Sequence, residues 1–401
     1  MSTPPTTEVL YALTVAKSPA KPSPEDVLEK SHHGKNGFRN PWDTRRLKGK
    51  ANNPDTTPPT VTVRKPEFLP SRDTPKLRAT WLGHACYYVE FPSGLRVLFD
   101  PVFEARCGPC CGPYHLGPKR YTEPPCQIKD IPVIDAVVIS HNHYDHLSYP
   151  TVSEIAKRHP NCHFFAPLGN KSWFHSSGIE NVTEMDWWDE RDIAMSPKEG
   201  KDPPIGEASA TADIKARISC LPCQHVTARS PFDKYKTLWA SWAIESGGSK
   251  VYFAGYDKLR KPPAPSECYF ANPHSSDSGY RAVDELPEGE DDWDPKYNFP
   301  ICPAFEQVGE FRGPFDLGLI PIGAYAPRHI FSAAHSDPHD AVRIFKDTKC
   351  KKALGMHWGT WVLTEEDVLE PPKKLKEALK KHDLAETGVF DVCDIGESRE
   401  F

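Results

Sequence analysis

No apolar run in the chain approaches the roughly 18 residues that a membrane-spanning helix needs. Nor is there a large excess of one charge: 49 Lys and Arg against 55 Asp and Glu leave a net charge of −6 over 401 residues. A nucleic-acid-binding role therefore has no electrostatic support. Twelve cysteines are too few for a disulfide scaffold at this length. The start lacks a basic n-region, and its apolar stretch over residues 9–16 is short and preceded by Glu8, so no secretory leader is expected. Arginine is scarce there, which weakens a mitochondrial address. The cysteines are then expected to be reduced thiols of an intracellular protein. No GxSxG elbow occurs, which removes the usual serine-hydrolase reading.

Proline and histidine are what the chain has in plenty. The 42 prolines are about twice the usual share of about 5%, and favour strands, turns and extended connections over helix bundles. Residues 1–77 are polar and Pro-rich with no sustained period, and read as an extended, partly disordered arm. Residues 78–370 read as the folded domain, and 371–401 as a C-terminal helix and tail. Strands are expected over 79–82, 86–91, 95–99, 134–140, 163–166, 216–221, 238–244, 251–254 and 317–322. Helices are expected over 151–159, 338–346 and 371–381. That order of elements predicts an α+β protein in which helices flank mixed sheets.

The 17 histidines carry the chemistry. After the apolar run IDAVVIS (134–140) comes HNHYDHL, containing His141, His143, Asp145 and His146. In extended backbone, residues i and i+2 point to the same side, so His141 and His143 can converge on one cation. A turn after His143 would let Asp145 and His146 face a second. Imidazole and carboxylate are ligands that zinc accepts at about 2.0–2.2 Å. A chance HxHxDH in this composition is on the order of 0.002.

HxHxDH after an apolar strand resembles the metallo-β-lactamase superfamily. TWLGHA (80–85), QH (224–225), IPIGAY (320–325) and HWGT (357–360) narrow the resemblance to the N-acylphosphatidylethanolamine-hydrolysing phospholipase D family. NPW (40–42), DP (337–338) and AVR (341–343) add to it, in order, from about residue 40 to 372. The resemblance implies an αββα sandwich with two zinc ions at one edge. It implies that His141, His143 and His225 hold one zinc, and Asp145, His146 and His357 the other. Asp145 would also orient the nucleophile. His335, in AHSDP, matches a histidine that the family places near the metals, where it could bond a phosphate oxygen or protonate the leaving group. His84 matches a residue near the site and reads as a buried, hydrogen-bonded histidine. The implied substrate is N-acylphosphatidylethanolamine, with peripheral membrane contact and a homodimer. The implied location is cytoplasmic and membrane-associated, with mitochondrial as the alternative.

One stretch departs from the family pattern. A bridging aspartate is expected in FAGDTGYR, but the chain reads FAGYDK (253–258) and resumes with DSGYR (277–281). About 21 residues, 256–276, read as an insert. Asp277 is the favoured bridging residue from its downstream neighbours; Asp257 is the other candidate. Two further readings stay open: another dinuclear zinc hydrolase on a soluble ester, lactone or phosphodiester, and a zinc-binding pseudoenzyme impaired by the insert. The pairs CGPC (107–110) and CLPC (220–223) are too far apart for a zinc ribbon and read as thiols.

Overall fold

The computed structural model describes residues 11–19, 21–24, 32–35, 37–38, 54–111, 114–197, 214–223, 225, 227–230, 232–254, 280–281, 283–287, 289–299, 301–332 and 335–401. Two large sheets face each other. One has eight strands whose spatial order follows the chain: Tyr11–Lys17, Glu190–Pro197, Ile214–Leu221, Ser241–Ser246, Ser249–Phe253, Phe315–Pro321, Cys350–Met356 and Phe390–Asp391. The first five pair antiparallel and the last four pair parallel. The other has seven, ordered Val182–Met185, His163–Pro167, Ala136–Val138, Arg96–Phe99, Cys86–Glu90, Arg78–Gly83 and Ser398–Glu400.

Between the sheets lies one continuous apolar layer. Tyr87, Phe99 and Val138 come from the seven-stranded sheet, and Ile218, Trp242, Phe253 and Leu319 from the eight-stranded one. Phe99 and Phe253 stack at 4.7 Å between ring centres. Trp242 donates from Nε1 to the Ile139 carbonyl at 3.1 Å, tying one sheet to the strand that leads into HNHYDH. Strands buried on both faces need apolar residues at successive positions, and AVV of 136–138 is wholly buried.

Helices cover the outer faces. Tyr149–Arg158 starts with Ser148 accepting from the Thr151 amide, has Pro in its first turn, and ends on Lys157 and Arg158. It packs Val152 and Ile155 on Val137 and Phe164. Pro338–Asp347 starts with a capping box between Asp337 and Asp340 and buries Ala341, Val342 and Ile344. Glu370–Lys381 buries Leu375, Ala378 and Leu379 beside it. This four-layer arrangement is the metallo-β-lactamase αββα sandwich expected from the sequence.

Both ends of the described chain join the sheets. Tyr11–Lys17 extends the eight-stranded sheet along Glu190–Pro197, and Ser398–Glu400 pairs with Arg78–Gly83. The expected strand over 238–244 forms later, as Ser241–Ser246. The turn Gly247–Gly248, with φ of 59° and 78°, sets that register. Among the described residues, no helix is long and apolar enough to cross a membrane.

Candidate metal centre

The polar side chains converge where strands end. His141 follows Ala136–Val138, His225 follows Ile214–Leu221, His357 follows Cys350–Met356, and Asp100 follows Arg96–Phe99. Ser249–Phe253 runs parallel to Phe315–Pro321, which runs parallel to Cys350–Met356, so their C-terminal ends share this edge. Rigid strands thus present the donors, and the connections after them supply the turns.

His141, His143 and His225 form one cluster. His225 Nε2 lies 2.7 Å from His141 Nε2 and 3.1 Å from His143 Nδ1, and the last two atoms are 3.0 Å apart. Burial, followed by neighbouring imidazoles, holds His141 well below its usual pKa. Burial also pulls His143 down to about 4 and His225 well below its usual value. At neutral pH these rings are uncharged, and the converging nitrogens offer lone pairs to a divalent cation.

Asp145, His146 and His357 form the second cluster, and His84 joins them. Asp145 Oδ2 lies 3.0 Å from His84 Nε2, 3.3 Å from His146 Nε2 and 3.6 Å from His357 Nε2. The Nε2 atoms of His146 and His357 are 3.1 Å apart. Burial by itself would raise the Asp145 carboxyl, but the charge and hydrogen bonds of His146, with hydrogen bonds from His357 and His84, outweigh it. They hold the carboxyl well below the usual range. His146 is likewise buried, yet Asp145 and Asp100 push it up to about 10. Two acids here call for positive charge, which fits a site for a cation.

Around the donors, supports fix their orientation. Asp100 Oδ2 accepts from His146 Nδ1 at 2.7 Å, and Asp100 Oδ1 accepts from the Ser140 amide at 2.7 Å. Arg229 Nη1 donates to the carbonyls of Asn142 and Leu147, both at 2.7 Å, closing the HNHYDH loop from two sides. His84, Asp100 and His357 have φ of 51°, 37° and 65°, a left-handed backbone that non-glycine residues adopt at a cost. The motif glycines have steric reasons. A Cβ on Gly83 would lie 2.9 Å from Arg120, and one on Gly359 2.8 Å from Val61, with φ of 99° and 71°.

The structure therefore brings together His141, His143, Asp145, His146, His225 and His357, all named from the sequence. His335 sits over both clusters, its ring centre 5.4 Å from that of His357 and 6.2 Å from that of His225. Burial, then the neighbouring His357, holds it well below its usual pKa. Asp257, Asp277 and the stretch 256–276 lie outside the described residues. Asp100 and Arg229 were missed by sequence reasoning. An Asp directly after the apolar LRVLF was the available signal for the first; for Arg229 there was none. Cys107 and Cys220 are buried thiols, raised above their usual pKa by that burial.

Two sheets under helices with paired His and Asp clusters at one edge define the class, a hydrolase of the metallo-β-lactamase fold with candidate metal-binding clusters. A sequence profile described as Beta-lactamase superfamily domain matches residues 95–256, ending where the insert was read to begin. A solved metallo hydrolase from Ignicoccus hospitalis superposes with a TM-score of 0.48 at 18% identity, over 81% of this chain and 98% of its own. Among curated proteins, N-acyl-phosphatidylethanolamine-hydrolyzing phospholipase D 1 of Caenorhabditis elegans is 34% identical over 328 residues, 80% of this chain and 75% of the relative. The mitochondrial N-acyl-phosphatidylethanolamine-hydrolyzing phospholipase D of Saccharomyces cerevisiae is 32% identical over 318 residues, 78% of this chain and 53% of the relative. The chain belongs to the N-acylphosphatidylethanolamine-hydrolysing phospholipase D family.

Proposed function

We propose that this chain is a zinc-dependent phosphodiesterase that hydrolyses N-acylphosphatidylethanolamine to N-acylethanolamine and phosphatidic acid. The observation that carries this reading is the convergence of two donor clusters at one sheet edge in a chain of this family. His141, His143 and His225 would hold one zinc; Asp145, His146 and His357 would hold the other. Asp277 would bridge them, with Asp257 as the alternative. Zinc, when bound, supplies a water that ionises near neutral pH and offsets charge on the phosphoryl oxygens.

The protein groups have distinct tasks. Asp145, fixed by His84, orients the attacking water. The bond from phosphorus to the ethanolamine oxygen breaks, and that oxygen needs a proton. His335, above both clusters and kept neutral by burial, would bond a phosphate oxygen through its N–H, and the proton lost by the attacking water balances the one the leaving oxygen takes up. The substrate's acyl chains imply peripheral membrane contact, on a cytoplasmic or mitochondrial surface, and the family implies a homodimer.

The test is turnover by the zinc-loaded full-length chain. N-acylphosphatidylethanolamine in mixed micelles should yield both products by mass spectrometry, while β-lactams should stay intact. Lactone or thioester hydrolysis without action on the lipid would replace this reading with the soluble-substrate one. Zinc binding with no turnover of any substrate would support the pseudoenzyme.

A further inference from the structure

We propose that His32, His33 and Asp186 form a third metal site, which takes one zinc-class divalent ion and fastens the N-terminal segment to the sandwich. His32 Nε2 lies 2.7 Å from Asp186 Oδ1, and His33 Nε2 lies 3.0 Å from Asp186 Oδ2. One donor atom from each of the three residues lies within 4.8 Å of the others, so two imidazoles and a carboxylate oxygen face a common point. Tetrahedral zinc with bonds of about 2.0–2.1 Å separates its ligands by about 3.3 Å, so small side-chain adjustments within this cluster admit the ion.

The cluster is built and has a way in. The side chains of His32 and Asp186 are 3% and 4% exposed, whereas that of His33 is 40% exposed and leaves one side open to water, the usual source of a further ligand. Supports hold the donors in place. The His32 ring stacks on Trp187 at 4.2 Å, and Trp187 donates from Nε1 to the Trp239 carbonyl at 2.7 Å. The Trp187 amide donates to Asp186 Oδ1 at 2.9 Å, orienting the carboxylate. Two imidazoles and one carboxylate suit zinc, cobalt or nickel; magnesium and calcium prefer all-oxygen sites.

Its placement gives the ion a task. His33–Gly34 pairs with Gly37–Phe38 in a short hairpin, and the Phe38 amide donates to the Tyr235 carbonyl at 2.7 Å. A Cβ on Gly37, where φ is 146°, would lie 2.4 Å from that carbonyl oxygen, so only glycine permits this contact. The Tyr235 amide in turn donates to the Thr227 carbonyl at 2.8 Å. The same connection carries Arg229, which holds Asn142 and Leu147 of the HNHYDH loop. An ion on His32, His33 and Asp186 would clamp the hairpin on the connection that braces the candidate metal centre.

The experiment is metal counting on the full-length chain, zinc-loaded and desalted, by inductively coupled plasma mass spectrometry. His33→Ala, at a half-exposed position, is expected to lose one zinc equivalent relative to the unsubstituted chain. That loss should add to the loss from His143→Ala. Cobalt-loaded protein should show a visible absorption difference between the unsubstituted chain and His33→Ala that persists in the His143→Ala background. Equal zinc content in the unsubstituted chain and His33→Ala would overturn the proposal and leave a His–Asp–His hydrogen-bonded cluster without an ion. The comparison is a difference of one equivalent, so it holds whatever the candidate centre binds or hydrolyses.

Discussion

His84 and Asp145 are 61 residues apart in sequence, yet His84 Nε2 stands 3.0 Å from Asp145 Oδ2. The backbone locks this histidine on three sides. Its amide donates to Thr360 Oγ1 at 2.7 Å, and its carbonyl accepts from Trp81 Nε1 and the His357 amide, both at 2.9 Å. Burial, then the neighbouring His357, keeps the imidazole well below its usual pKa, so it stays neutral and donates one N–H to the carboxylate. The oxygen that His84 holds is the one that faces His146 and His357, at 3.3 and 3.6 Å, so His84 fixes the carboxylate against that cluster.

That geometry predicts a positioning role for His84. Removing a partner that orients a metal-site residue costs about 10- to 100-fold in affinity or activity. His84→Ala should lower kcat/KM by that factor while the protein stays folded. His84→Gln, which keeps an N–H donor, should recover part of it. Zinc stoichiometry measured alongside separates weakened binding from misplaced chemistry. Full activity in His84→Ala would remove the role.

His143 is the more exposed member of the three-histidine cluster, so its replacement disturbs packing least. His143→Ala takes one imidazole from that cluster. The expected results are a lower zinc content and a fall in lipid turnover of more than about 100-fold, while circular dichroism is unchanged. Chelation of the unsubstituted chain should abolish turnover, and added zinc should restore it. Full zinc occupancy in the variant would contradict the ligand assignment.

His163 offers a pH prediction away from the candidate centre. Burial, with a smaller effect from Lys171, pulls its pKa down to about 4, and its Nε2 lies 2.8 Å from Thr183 Oγ1. The unfolded value is about 6.5, so between these values the unfolded chain binds more protons than the folded one. The stabilisation is complete above about pH 6.5 and is lost as pH falls towards 4. His163→Gln does not titrate. The unsubstituted chain should therefore lose about 1–2 kcal/mol relative to the variant between pH 7.5 and 5, a value reduced for the part-exposed ring. Urea unfolding of both proteins at the two pH values measures this; a constant difference would refute it.

The parts of the molecule legible in the sequence were those coded locally. IDAVVIS announces a buried strand, and HNHYDH crowds four donors into six positions at its end. The helix Pro338–Asp347 was marked by its first-turn proline and by cap-forming residues at 336 and 337, of which Asp337 makes the cap. What escaped depends on distant contacts. Tyr11–Lys17 has weak alternation and becomes a strand by pairing with Glu190–Pro197. Cys350–Met356 has two exposed lysines at its second and third positions, and only its end, ALGM, looks like a strand. Asp100 meets His146 across 46 residues, and Asp186 meets His32 across 154. No spacing rule along the chain reports such pairs.

The final prediction concerns the stretch where the chain departs from its family. Ser249–Phe253 ends at the edge that carries the donors, as a strand delivering a bridging carboxylate should. In the family pattern the acid follows the glycine directly; here Gly255 and Asp277 are separated by residues 256–276. Added loop length costs little entropy, so the segment need not disturb the fold. Catalytic geometry is less forgiving, because an error of about 1 Å can cost about a hundredfold in rate. The chain as written is expected to be less active than a version lacking 256–276, in which Gly255 is followed by DSGYR. Asp277→Asn should abolish activity in the shortened form. In the full-length form, Asp277→Asn should cost more than Asp257→Asn, and the reverse order would make Asp257 the bridging residue. Equal activity of the two lengths, with neither substitution affecting turnover, would show that the bridge is not drawn from this stretch.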